Sequence, residues 1–163
     1  MDVENALYPT RSRIETLMAE GSDEPIVMLN LVKFRAQATY PDRRPTSLTG
    51  REAYGRYAEA MHKIVEEHGG KFLFAGDIAA PVIGDVGNLW DVCALVEYPS
   101  AAAFAAIAVS PEVVKIGADH AAGLDGQLLT RVARRPFKRS ASRRSFTKIR
   151  TLIGCLYALR GQG

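Results

Sequence analysis

NLWDVCALVEYPS, residues 88–100, carries the densest strand signal in the chain and breaks directly into a helix start. In an extended backbone successive side chains point to opposite sides. Trp90, Val92, Ala94, Val96 and Tyr98 therefore form one row, and Asp91, Cys93, Leu95 and Glu97 form the other. The first row is apolar and suits a face packed beneath helices. The second is mixed and suits a face turned toward a partly polar cavity or a partner subunit.

Working outward, the segments on either side supply what is needed to cover this strand. Ile26–Arg35, IVMLNLVKFR, is rich in β-branched and aliphatic residues and reads as a first strand, with Val27, Leu29, Leu31 and Lys33 on one face and Met28, Asn30, Val32 and Phe34 on the other. Residues 36–47 are polar, contain proline and lack periodicity, so they form a loop. Thr49 and Glu52 make a capping box for a helix on which Tyr54, Tyr57, Met61, Ile64 and Val65 recur at helical spacing, until Gly69 and Gly70 stop it. Residues 71–79 are the second strand and 89–98 the third. Ser100 and Ser110 cap two short helices, 101–108 and about 110–122, the second with Pro111 and Glu112 in its first turn. Residues 123–126 are read as a turn into a last strand, 127–133. A further short helix, 10–20, precedes the whole.

The order strand, helix, strand, strand, helix, strand predicts an α+β fold of the ferredoxin-like βαββαβ type. Its antiparallel sheet has the first and third strands in the centre and both helices on one face. One face of that sheet lacks helices, and pairing two such faces in a homodimer is the economical way to bury it. The expected organisation is an extension over 1–24, the α+β domain over 25–133 and a basic tail over 134–163.

Composition limits function more than it defines it. Hydrophobic residues make up 47% and charged residues 24% of the 163, an ordinary balance for one soluble domain. The net charge of +3 conceals a division: nine of the 21 basic residues and no acid lie in 134–163, leaving twelve against all 18 acids before it. The excess of base belongs to the tail and says nothing about partners of the domain. The tail pairs a cationic segment with an amphipathic helical pattern over 146–159, which fits contact with anionic membrane or nucleic acid as well as a bare extension. Cys93 and Cys155 make neither a disulfide framework nor a metal spacing. With no apolar leader at the amino terminus, the expected location is cytoplasmic.

Several blocks in order carry a resemblance: MLNLVKFR, then GREAYGRYAEAM with EEHGGKFLFAG, then WDVCALVEYPSAAAF followed by SPEV. Over about residues 26–132 the chain resembles the DUF1330 family of the dimeric α+β barrel superfamily. The resemblance implies a ferredoxin-like fold that dimerises sheet to sheet and, since the family is one of unknown function, implies no reaction. Many members carry Tyr and Arg where this chain has Val113 and His120; if that arginine binds an anionic group in relatives, His120 could do so only when protonated.

The candidate catalytic residues are Asn30 and Asp91, polar side chains on the two central strands, both expected to face away from the helices. Asp91 suits a general base or a hydroxyl anchor, and Asn30 suits an orienting amide. The alternative is that they hydrogen-bond across a dimer contact. Tyr54, Tyr57, Trp90 and His120 are the candidate substrate-binding residues: two phenols on one helix face, a lone indole able to stack on a ring, and a histidine on the helix before the last strand. Each also has a structural reading, as core, anchor or cap. His62 and His68 read as solvated and helix-capping. No HExxH, histidine triad or cysteine pair offers a metal site, no phosphate loop or GxSxG elbow is present, and no cofactor is predicted, although haem held by an axial histidine stays open because none of the three histidines has a distinguishing neighbourhood. Two classes of function remain: action on a small organic molecule in a cavity beside the sheet, or a non-catalytic dimeric binding or interaction module.

Overall fold

Residues 6–20, 23–84, 87, 89–133 and 135 are described by a computed structural model of the chain. The amphipathic tail segment expected over 146–159 lies outside the described residues.

Each element follows from local chemistry. Helix α1, Arg11–Glu20, starts where the Thr10 hydroxyl accepts the N–H of Arg13 at 3.3 Å. Strand β1 is Ile26–Phe34. Helix α2, Gly50–Glu67, opens with the expected capping box: the Thr49 hydroxyl accepts the Glu52 N–H, and the Glu52 carboxylate accepts the Thr49 N–H at 2.7 Å. That backbone bond, together with the Thr49 hydroxyl, holds Glu52 below the usual carboxylate range. Gly69, in the left-handed region at φ 78°, ends the helix. Strands β2, Lys71–Asp77, and β3, Val92–Tyr98, are both shorter at one end than their sequence patterns. Helices α3, Ala101–Ala108, and α4, Pro111–Gly123, are capped by Ser100 and Ser110 as expected. Strand β4, Leu124–Val132, begins with no intervening turn.

This last point corrects the sequence reading. Gly123 ends α4 and Gly126 is already inside β4, buried opposite Lys33. A Cβ at Gly123 would come within 2.5 Å of the Gly50 carbonyl and 2.7 Å of the Tyr54 nitrogen. The glycine pair exists to let α2 and α4 approach backbone to backbone.

The four strands form one antiparallel sheet in the order β2-β3-β1-β4, with α2, α3 and α4 on one face, the ferredoxin-like α+β arrangement. Helix α1 joins the same layer, placing Ile14 and Leu17 against the core. That core includes Met28, Val65, Val96, Phe104 and Ile107. Burying each such side chain contributes about 1.5–3 kcal/mol. Register decides which residues face it. Met28 pairs with Val96, Asn30 with Ala94 and Val32 with Val92, so the even-numbered residues of β1 lie beneath the helices. On the open face Leu29 pairs with Leu95 and Thr130, and Leu31 with Cys93 and Leu128. Phe74, 56% exposed, extends the first of these rows.

Asn30 is therefore on the side opposite to the one expected. Both faces of β1 are largely apolar, and only the pairing with β3 shows that Asn30 shares its face with buried Met28 and Val32.

Candidate functional site

Between the sheet and its helices lies a cavity of about 560 Å³. Its floor is made by alternate residues of the central strands, including Asn30, Val32, Val92 and Ala94, and its walls by α2, α3 and α4. Among the described residues that line it there is no Lys, Arg, Asp or Glu. Polarity comes from Asn30, His120, Gln127 and the phenols of Tyr8, Tyr54, Tyr57 and Tyr98.

The polar residues are ordered into a chain. Gln127 on β4 donates its amide N–H to Asn30 Oδ1 at 3.0 Å, which turns its carbonyl Oε1 toward His120 Nε2 at 2.9 Å. A carbonyl accepts only, so His120 carries its proton on Nε2, leaving the lone pair on Nδ1. His120 is 6% exposed. Burial lowers its pKa below the ordinary imidazole value, with the Gln127 bond opposing part of the effect. The ring is neutral at physiological pH.

Aromatic rings surround the histidine. The ring centroid of Tyr57 lies 4.7 Å from that of His120, edge-on, Tyr54 lies 6.1 Å away and Tyr8 5.8 Å. The Gly50 and Gly123 contact creates this cluster, because it brings the first turn of α2 against the last turn of α4. Burial pushes the Tyr57 phenol up to about 12, with the neighbouring Tyr8 adding to the effect. Burial also raises Tyr54 and Tyr98, with the Tyr57 phenol second in each case. All three stay protonated. No described residue engages their hydroxyls, and none of these oxygens is sealed from the cavity.

Asp91 lies elsewhere. Its carboxylate accepts the N–H of Phe34 at 2.8 Å and the Lys33 ammonium at 3.1 Å, on the open face of the sheet. Its own N–H reaches the Val32 carbonyl at 2.7 Å. These bonds tie the entry of β3 to the end of β1 and account for the oxygens a general base would need free. Trp90 precedes β3, half-buried and outside the cavity lining, with its indole nitrogen enclosed and unpartnered among the described residues. Of the six candidates, the structure brings together Asn30, Tyr54, Tyr57 and His120 and separates Asp91 and Trp90 from them. His62 packs its ring 4.8 Å from Phe72, and His68 caps α2 with Nδ1 2.8 Å from the Ile64 carbonyl. The described residues contain no cluster of His, Cys, Asp and Glu able to hold a metal. Gln127 was not legible as a site residue, since its partners are seven and 97 positions away.

A four-stranded ferredoxin-like sheet, with a cavity under its helices, defines an α+β domain. The sequence matches the profile of the Domain of unknown function (DUF1330) over residues 45–130, and the chain belongs to that family. It is similar to a solved protein of unknown function from Rhodopseudomonas palustris, with 31% identity over 82% of this chain and all of that one and a TM-score of 0.72. The methylated form of that protein gives 33% identity over 83% of this chain and 98% of that one, with the same TM-score. Hydroxynitrile lyase from Passiflora edulis shares the fold alone, at 9% identity and a TM-score of 0.51 over 71% of this chain and 99% of that one. No curated protein matches the sequence.

Proposed function

We propose that this protein binds a small, uncharged, mainly apolar organic molecule in the helix-side cavity, and that two copies pair through their open sheet faces. The observation that supports binding is the cavity itself. At about 560 Å³ it is within the size range of small-molecule sites. Among the described residues, its lining offers hydroxyls without protein partners and no charge to balance an ion. A charged ligand would lose its hydration there and gain no counter-ion. The test is thermal unfolding with 2-naphthol or 2-tetralone against 2-naphthoate. The neutral compounds should raise the midpoint, by an amount equivalent to about 2.7 kcal/mol at a hundredfold excess over Kd, and the carboxylate should not. Stabilisation by the carboxylate alone, or by none of the three, overturns the reading.

Pairing is supported by the open face, where Leu29, Leu31, Leu95, Leu128 and Phe74 make apolar rows with no helix over them among the described residues. Light scattering should report twice the chain mass at micromolar concentration, and Leu31→Lys should halve it. A monomeric wild type disposes of the dimer.

A further inference from the structure

We propose that the cavity is a site of proton transfer on a neutral carbonyl compound: Tyr54 and Tyr57 hold the carbonyl oxygen, and His120 Nδ1 takes a proton from the adjacent carbon. The inference rests on the cavity being a ligand site and deepens that reading to a substrate class and a reaction. It comes from counting donors and acceptors. The cavity offers hydroxyl donors from two phenols whose rings lie 5.4 Å apart and 4.7 and 6.1 Å from the His120 ring. Beside them stands one neutral nitrogen lone pair, on Nδ1, because Nε2 spends its proton on Gln127. Donors gathered beside a single base fit a ligand whose oxygen becomes more negative as it gives up a proton, which is what a ketone, aldehyde or lactone does on enolisation. A phenol retained in its protonated form can donate to that oxygen throughout.

The step balances within the site. The C–H bond α to the carbonyl breaks, its electron pair forms the C=C bond, and the carbonyl π pair moves onto the oxygen held by the phenols. The proton resides on Nδ1, where it trades with solvent water; a solvent-derived proton delivered back to the same carbon gives exchange, and delivery to a conjugated carbon gives isomerisation. Neither route needs a co-reactant other than water. Asn30 and Gln127 are positioning residues: Asn30 Oδ1 fixes the Gln127 amide, and Gln127 fixes the tautomer that leaves Nδ1 free. The described groups facing His120 are Tyr8, Tyr54, Tyr57 and Gln127, so among the described residues no lining carboxylate competes for the role of base. The imidazolium formed in the reaction is shared with the Gln127 carbonyl.

The experiment follows hydrogen exchange at the α-carbons of 2-tetralone in D2O by NMR, with protein at catalytic concentration and binding measured in parallel by titration. Wild type should accelerate exchange above buffer, with a rate that rises as His120 loses its proton. His120→Asn should bind the ketone and lose about a hundredfold or more of the acceleration. Tyr57→Phe removes only a hydroxyl and keeps the packing; it should lose tenfold or more while still binding, and it carries the test if the histidine variant fails to fold. Bound ketone with no acceleration by wild type overturns the proton-transfer proposal and leaves the binding site standing. Acceleration unchanged in a folded His120→Asn or in Tyr57→Phe also overturns it. Absence of binding by 2-tetralone, 2-naphthol and 2-naphthoate alike removes the underlying site instead.

Discussion

The two faces of the sheet are built from the same strands and alternate residue by residue, yet they solve different problems. Beneath the helices, Asn30 stands one register step from buried Val32, and its Oδ1 accepts from Gln127, whose carbonyl in turn meets His120. On the open side, Lys33 and Asp91 face each other as an ion pair, both about one-fifth exposed, and Lys71 pairs with Glu97 at 2.9 Å, at the ends of leucine-rich rows. Polar atoms on the helix side are neutral, ordered and beside empty volume. Those on the open side are charged and already satisfied by one another and by backbone. A polar residue in a strand is thus informative about function only when its own hydrogen bonds leave something unspent.

That contrast can be broken by substitution. The largest effect is expected at Ile107, 1% exposed under the helices, where truncation to Ala should cost about 2–5 kcal/mol in urea unfolding at every protein concentration. Leu31→Ala on the open face should instead cost a concentration-dependent amount, since the proposed pairing covers it with the second copy. Equal, concentration-independent losses at the two sites would show that the faces do not differ. Next in size is Gln127→Leu, which leaves the buried His120 Nε2–H and the Asn30 Oδ1 without their partner and should cost about 1–3 kcal/mol. It should also weaken ketone binding. Asp91→Ala removes an acceptor from Lys33 and the Phe34 N–H and should cost a similar amount or less, with ketone affinity unchanged. A loss of ligand binding in Asp91→Ala would move the site to the open face.

The smallest effect is a pH dependence. His120 has a lowered pKa when folded, whereas unfolded it titrates near ~6.5. As pH falls through that value the unfolded chain takes up a proton before the folded one does. Stability therefore declines on acidification, at no more than about 1.4 kcal/mol per pH unit from this group, and the decline ends below the folded pKa. His120→Asn should remove that part of the slope. Identical slopes for the two proteins would mean the histidine is not held neutral.

Much of the fold was legible because strand alternation, the Thr49 and Glu52 capping box and the serine caps are local signals with local causes. The side to which Asn30 turns was not local. Leu29 and Leu31 on one face and Met28 and Val32 on the other offer similar hydrophobicity, and only pairing with β3 sixty residues away chooses between them. Gly123 and Gly126 looked like turn formers because glycine commonly is. Here the first is required by helix contact and the second sits inside a strand. Tyr54, Tyr57 and His120 could be nominated singly from their helix positions. Their convergence depends on the approach of α2 to α4, which no spacing in the sequence encodes.

The placement of the ligand site on the helix side is tested most directly by an NOE spectrum of the protein with 2-tetralone. Cross-peaks from the ketone to the ring protons of Tyr57 and His120, with none to the methyls of Leu31 or Leu95, are the expected result. Cross-peaks to those leucines in place of the rings would contradict it.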